Sequence, residues 1–247
     1  MENNLIIIPS RMESKRLPGK PLLDIEGIPM VIRVAKQAIK SNSGLVYIAC
    51  CDEEVYKTAK NYGINVIMTN PNHSSGTDRI YEAFKNINNT KKIDTIINLQ
   101  GDMPTILSST ISNLVKLKKT IPSDILTLVN EINNEDEKLD KDIVKVALSL
   151  NKSKEYGKAL YFSRSLIPYG EGPVYHHIGV YAYSRESLEK FINLKPSKLE
   201  KRESLEQLRA LEANMDIKVG IVEDSPIGVD NLADFNKACD YIKNNKI

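Results

Sequence analysis

Positive charge gathers in one short stretch of this chain. "PSRMESKRLPGKPLL", residues 9–23, follows the apolar run Leu5–Ile8 and carries four cations, Arg11, Lys15, Arg16 and Lys20, opposed only by Glu13. Backbone amides of such a loop add further partial positive charge. A basic loop leaving the carboxyl end of a buried strand is suited to gripping a polyphosphate. Two carboxylates could work with it. Asp102 sits in the polar tip "NLQGDMP" at 98–104, where Gly101 permits a tight backbone path and Pro104 closes it. Asp230 closes "PIGVD" at 226–230, just before the last helical pattern. Taken singly, each reads as an ordinary turn or helix-capping aspartate. Taken together, opposite a cationic loop, they suit a magnesium nucleotide, because Mg2+ is held by one or two carboxylates plus phosphates and water. GxxxxGK[ST] does not occur and no GxGxxG follows the first strand. Both absences argue against a P-loop kinase and a dinucleotide dehydrogenase.

The elements that would position these residues alternate. Strands are predicted at 5–9, 45–51, 65–68 and 94–99, and helices at 29–40, 53–61 and 77–87. Strands alternating with helices imply parallel pairing through crossover helices, a doubly wound sheet. After residue 105 the rhythm changes. A helix at 107–119 leads to strands at 125–132, 143–150, 158–162 and 177–183, with the acidic stretch 133–142 read as a solvated loop. Helices are expected at 185–193, 199–213 and 231–244, and a strand at 217–222. The fold class is therefore α/β, a mixed, mostly parallel doubly wound sheet with a β-rich insertion, in a single domain over residues 1–247.

A formal charge of +2 argues against a dedicated nucleic-acid binder, so the basic loop is a local feature. The three cysteines, Cys50, Cys51 and Cys239, include no CxxC pair and read as free thiols of a reducing compartment. Cys50 and Cys51 are expected on opposite faces of one strand, as small core-filling residues. Met1–Asn4 lacks a basic n-region, and no apolar stretch approaches membrane-spanning length. The expectation is a cytoplasmic protein.

Seven segments in order carry a resemblance that spans nearly the whole chain. "PSRMESKRLPGKPLLDIEGIPM" is similar to the N-terminal signature of cytidylyltransferases that activate acidic sugars. "HSSGTDRIYEA" at 73–83, "NLQGDMP" at 98–104, "ALYFSRSLIPY" at 159–169, "HHIGVYAYS" at 176–184, "LEQLRALE" at 205–212 and "GVDNLADF" at 228–235 continue it. Each piece alone is weak, whereas seven in order are specific. The set resembles most closely the 3-deoxy-manno-octulosonate (Kdo) cytidylyltransferase, or CMP-Kdo synthetase, family. CMP-sialate synthetases share the opening but generally lack the "YFSR" and "LEQLR" segments.

The resemblance implies a nucleotide-diphospho-sugar transferase-like fold that couples CTP to Kdo, giving CMP-Kdo and pyrophosphate for lipopolysaccharide synthesis. It also implies a homodimer. It assigns Arg11 and Lys20 to the triphosphate and Asp102 and Asp230 to magnesium, these four forming the catalytic set. Ser10, Ser75, Gly76, Thr77 and Arg79 fall with Arg11 and Lys20 on the nucleotide side. Gln100, Arg164, His177, Tyr181, Glu206 and Gln207 match acid-sugar contacts, with Arg164 the natural partner of the sugar carboxylate. Lys15 and Arg16 are phosphate contacts or solvated charges, and His73 and His176 read as structural.

Met103 departs from the pattern, since the family usually has glutamate after the metal aspartate; Ser10 stands for a common alanine. Met103 keeps open a cytidylyltransferase for another acidic or amino-modified sugar. A non-catalytic sugar-nucleotide binder is a third reading. Retention of Arg11, Lys20, Asp102 and Asp230 argues against it.

Overall fold

The computed structural model describes residues 3–14, 16–88, 90–153 and 155–245. They divide into two compact units, Met1–Ser112 with Pro226–Ile247, and Asn113–Ser225. Both mix helices with a sheet.

The first unit opens with β1 (Asn4–Ser10), in which Leu5, Ile6, Ile7 and Ile8 are all fully buried. Burial on both faces is what a continuous apolar run requires of a central parallel strand. A two-residue hairpin follows, β2 (Asp24–Ile25) and β3 (Ile28–Pro29). Its turn holds Glu26 and Gly27 at φ 49° and 76°, the left-handed conformation such a tight turn demands. Sequence periodicity missed this hairpin because each strand has only two residues. Pro29 then caps helix α1 (Met30–Lys40), just outside the first turn expected for it.

The alternation continues through β4 (Leu45–Cys50), α2 (Glu53–Asn61), β5 (Val66–Met68), α3 (Gly76–Asn86) and β6 (Thr95–Asn98). The strand order is β5-β4-β1-β6, every pair parallel. β1 and β6 pair from Asn4 with Thr95 to Ile7 with Asn98, so their carboxyl ends run out side by side. Cys50 ends β4 and is buried, whereas Cys51 lies beyond the strand and is half-buried. The opposite-face expectation for this pair therefore does not apply.

Helix α4 (Ser108–Thr120) carries the chain onward. In the second unit, β7 (Ile125–Glu131) leads to α5 (Glu135–Leu139), a helical turn inside the stretch expected to be loop. Asn134 caps it by accepting from the Asp136 N–H at 3.0 Å, and three acids in the first turn favour the helix dipole. β8 (Lys145–Leu150), β9 (Tyr156–Ser163) and β10 (Tyr175–Ser184) follow. Next come α6 (Arg185–Ile192), α7 (Lys198–Glu203), α8 (Leu208–Glu212) and β11 (Ile217–Ile221). The order is β10-β7-β11-β9-β8, parallel only between β7 and β11, with β10 also touching β8. The single helix expected over 199–213 is two helices. Ser204 takes a left-handed φ of 56° and ends the first of them.

The chain returns to the first unit for α9 (Leu232–Asn245). Val229, Ala238 and Ile242 pack with Ile25 and Met30 in one buried cluster, flanked by Leu17 and Phe235. That cluster fastens the segment around residue 230 to the segment around residue 20. None of the described helices is long and apolar enough to cross a membrane.

Candidate active site

The carboxyl ends of β1 and β6, the start of α3 and the approach to α9 surround a cavity of about 510 Å³. Ser10, Arg11, Lys20, Ser75, Gly76, Arg79, Gln100, Asp102 and Asp230 line it. Nine residues singled out in four separate segments of sequence thus meet in the first unit. Lys15 lies outside the described residues.

The loop after β1 is held rather than loose. The Met12 N–H donates to Asp52 Oδ2 at 2.8 Å, and Gly19, at φ 69°, donates to Met12 O at 3.2 Å. Gly19 supplies the left-handed turn that closes the loop. Lys20 then opens a short 3-10 turn, and Arg11 is exposed at the rim.

Lys20 is the hub of the carboxylate side. Its Nζ donates to Asp102 Oδ2 at 2.7 Å and to Val229 O at 2.8 Å, and lies 3.5 Å from Asp230 Oδ1. Arg16 Nη2 reaches the same Asp230 oxygen at 2.9 Å, an ion pair made by a side chain that stays 55% exposed. The Val229 N–H donates to Asp102 O at 2.8 Å, which locks the two carboxylate-bearing segments together. At Gly101 a Cβ would lie 3.1 Å from Pro9 O and 3.3 Å from Ile8 Cγ2, so a side chain there would crowd β1.

Asp102 and Asp230 form an oxygen-only donor pair on one cation, partly open to solvent at 32% and 47% side-chain exposure. Among the described residues no group of three or more His, Cys, Asp or Glu could hold a metal. Two carboxylates alone suit a hard divalent cation that takes its remaining ligands from phosphates and water, as Mg2+ does.

On the opposite wall, Ser75 caps α3 by accepting from the Asp78 N–H at 3.1 Å. Gly76 packs so close to Pro9 that a Cβ would lie 3.3 Å from its Cγ. Arg79 is buried and donates to Thr69 Oγ1 at 2.6 Å. Thr77 stands behind the wall, where its hydroxyl accepts from Asn98 Nδ2 at 3.4 Å, and Gln100 donates to Asn98 Oδ1 at 3.0 Å. The Ser10 hydroxyl is buried without a hydrogen-bond partner among the described residues. His73, read from its motif as structural, also lines the cavity and pairs with Glu82.

The remaining five residues belong to the second unit. His177 is buried on β10, edge-on to Phe162 with centroids 5.0 Å apart and 5.4 Å from the Tyr181 ring. Its Nε2 lies 3.0 Å from Thr127 Oγ1. The Thr127 hydroxyl also lies 2.7 Å from Val180 O and 3.1 Å from Ile178 O, so it ties His177 to the backbone of β10. Burial holds His177 down to about 3, a neutral ring at any ordinary pH. Burial and then the Glu206 charge push the Tyr181 phenol up. Glu206 lies 3.9 Å from Arg209 Nη2, and Gln207 is buried at the start of α8. Arg164 follows β9 and is tied to the end of α7, where its Nε donates to Glu203 O at 3.1 Å.

Two supporting residues carry no motif signal, Asp52 under the basic loop and Thr105, whose hydroxyl accepts from the Ile227 N–H at 2.7 Å. Both act on backbone donors that only the fold brings near.

Comparisons with known proteins cover nearly the whole chain. A family model described as cytidylyltransferase matches residues 5–217. The 3-deoxy-manno-octulosonate cytidylyltransferase of Sinorhizobium medicae is 49% identical over 234 residues, 95% of this chain and 93% of that one. The protein of the same name from Brucella canis matches at the same identity and coverage. A solved CMP:2-keto-3-deoxy-manno-octonic acid synthetase complexed with CTP superposes with a TM-score of 0.90 at 35% identity, covering 99% of this chain and 100% of its own. With its basic loop, its paired aspartates and this span of similarity, the chain belongs to the 3-deoxy-manno-octulosonate cytidylyltransferase family.

Proposed function

We infer that this protein is an enzyme that activates Kdo with CTP, giving CMP-Kdo and pyrophosphate. The observation that carries the reading is the convergence of Lys20 on Asp102 and Asp230 beside a basic loop, in a chain of this family. The sugar's anomeric hydroxyl attacks the α-phosphorus. A C–O–P link forms, the bond to pyrophosphate breaks, and the hydroxyl proton passes to solvent. Such transfer depends on positioning and charge neutralisation more than on a protein nucleophile.

In this reading Arg11 and Lys20 hold the triphosphate, Lys20 as a point charge and Arg11 as a fork. Ser10, Ser75, Gly76, Thr77 and Arg79 shape the nucleotide side. Arg164 takes the sugar carboxylate, and Gln100, His177, Tyr181, Glu206 and Gln207 take its hydroxyls. His177 fits a donor or acceptor that never charges, since burial keeps it neutral. Asp102 and Asp230 would hold Mg2+, which when bound neutralises charge on the reacting phosphates.

The proposal extends to one cytidylyltransferase domain over residues 1–247, a doubly wound sheet with a β-rich insertion. It includes a homodimer working in the cytoplasm on lipopolysaccharide precursors. Pyrophosphate release from CTP with Mg2+, assayed with Kdo and with related acidic and amino-modified sugars, tests it. Turnover fastest with Kdo is the expected result, and no release with any sugar would overturn it. A second reading, a different acidic sugar, rests on Met103, an apolar residue buried beside Asp102. Turnover faster with another sugar would favour that one.

A further inference from the structure

Glu203, the last residue of α7, is the centre of a side-chain cluster that the functional reading leaves unused. Its Oε1 accepts from Ser163 Oγ at 3.0 Å and from the Tyr161 hydroxyl at 3.5 Å. Its Oε2 accepts from the backbone N–H of Arg164 at 3.1 Å. Its own backbone carbonyl accepts from Arg164 Nε at 3.1 Å. One residue thus fixes the end of β9, the peptide of Arg164 and the Arg164 side chain.

The manner of fixing matters. The last carbonyls of a helix lack intrahelical donors, and a guanidinium is a favourable partner for them. Ser204 turns away in the left-handed conformation directly after Glu203, where the helix stops. Arg164 Nη1 completes the hold by donating to Lys141 O at 3.0 Å. Both anchors of the guanidinium are neutral peptide carbonyls. No carboxylate pairs with it at ion-pair distance among the described residues. The Glu203 carboxylate is instead committed to two hydroxyls and a peptide N–H. Arg164 is therefore oriented without being neutralised, the state in which a guanidinium best receives an incoming anion.

We propose that Glu203 is a positioning residue that sets Arg164 to receive the carboxylate of the sugar acid. The inference rests on the reading of Arg164 as the partner of that carboxylate.

The test is a set of four variants, Glu203→Ala, Glu203→Gln, Arg164→Ala and the double Glu203→Ala/Arg164→Ala, assayed for both substrates after melting curves establish folding. Glu203→Ala should raise the KM for Kdo about tenfold, while kcat and the KM for CTP move less than about twofold. Glu203→Gln should fall between it and the parent, because the amide oxygen keeps one acceptor and its nitrogen loses the other. It serves as the readout should the alanine variant not fold. In the Arg164→Ala background, removing Glu203 should change the sugar KM by less than about twofold, since a residue acting through another is silent without it. Equal rises in both KM values, or effects that multiply in the double variant, would overturn the role of Glu203. An Arg164→Ala enzyme with unaltered sugar dependence would instead overturn the reading beneath it.

Discussion

Lys20 and Asp102 lie 82 positions apart in the chain and meet at 2.7 Å. The ammonium at this contact also donates to Val229 O and lies near Asp230, so one cation ties together three segments. In the proposed function, a nucleotide carrying Mg2+ would bring positive charge to the aspartates and negative charge to the lysine, so the lysine and its two carboxylates would exchange partners on binding.

Lys20→Ala should raise the KM for CTP by at least about tenfold. Its side chain is only 15% exposed, and its removal leaves two carboxylates without their shared cation. A loss of about 1–2 kcal/mol of stability is expected from the broken contacts. Mg2+ alone should restore part of it. Melting temperature against MgCl2, without nucleotide, should therefore rise more steeply for the variant than for the parent protein, and equal slopes would separate Lys20 from any metal-binding pair.

Asp102→Asn and Asp230→Asn should each fold and each lose at least about a hundredfold in turnover at low Mg2+. The amides keep an acceptor for Lys20 and Arg16 but lose the charge a hard cation selects. Pyrophosphate release across a Mg2+ titration measures this. Either variant running at the parent rate would remove that residue from the metal site.

Met103→Glu tests the departure from the family pattern. Met103 is only 5% exposed, so a glutamate must be desolvated or find Lys20 or a cation. Burial raises a carboxyl's pKa, so the folded protein would hold its proton where the unfolded chain has released it. The penalty is absent below the unfolded value of about 4.3 and grows as pH rises above it. Urea unfolding of the variant should show a deficit of about 1–3 kcal/mol at pH 7 that shrinks by pH 4. Kdo is expected to remain the preferred sugar. A preference for Kdo that appears only in the variant would favour a different natural substrate.

Stability should fall in acid for a reason apart from the carboxylates. Burial holds His177 down to about 3. Burial, with the Lys145 charge, holds His176 to about 4. Both titrate near 6.5 when unfolded. Between those values the unfolded chain binds more protons than the folded one, so stability rises with pH and is lost as pH falls below about 6.5. Each histidine contributes up to about 1.4 kcal/mol per pH unit. His176→Gln should flatten the loss between pH 6.5 and 4, as read from urea midpoints at each pH.

Long alternating elements of the first unit were legible in the sequence because apolar runs and helical periodicity announce them. The run Leu5–Ile8 could only be a strand buried on both faces, and the basic loop had to leave its carboxyl end. Features set by a single backbone angle were not legible. Nothing in "RESLEQLR" distinguishes the left-handed Ser204 from an ordinary helical serine, so two helices read as one. The nine cavity residues were found as types within motifs. The carboxylates that brace the candidate segments were not, because Asp52 and Glu203 earn their place by accepting from the backbone N–H groups of Met12 and Arg164, a property every carboxylate shares. Arg16 was left between two readings for the same reason. Its tie to Asp230 depends on α9 packing against Ile25 and Met30, and no local pattern encodes that contact.

The first unit is discontinuous, closed by the segment from Pro226 onward. A ribosome therefore delivers Lys20 before, and Asp230 after, the whole second unit. Until Val229 and Ile242 arrive, Ile25 and Met30 lack the cover they have in the finished molecule. Lys20 lacks the Val229 carbonyl, and Asp102 lacks its companion carboxylate. A nascent chain stalled before residue 226 would hold the basic loop without the paired aspartates. In translation, the pair of carboxylates around Lys20 is completed only after the second unit has emerged, together with the helix that covers Ile25 and Met30.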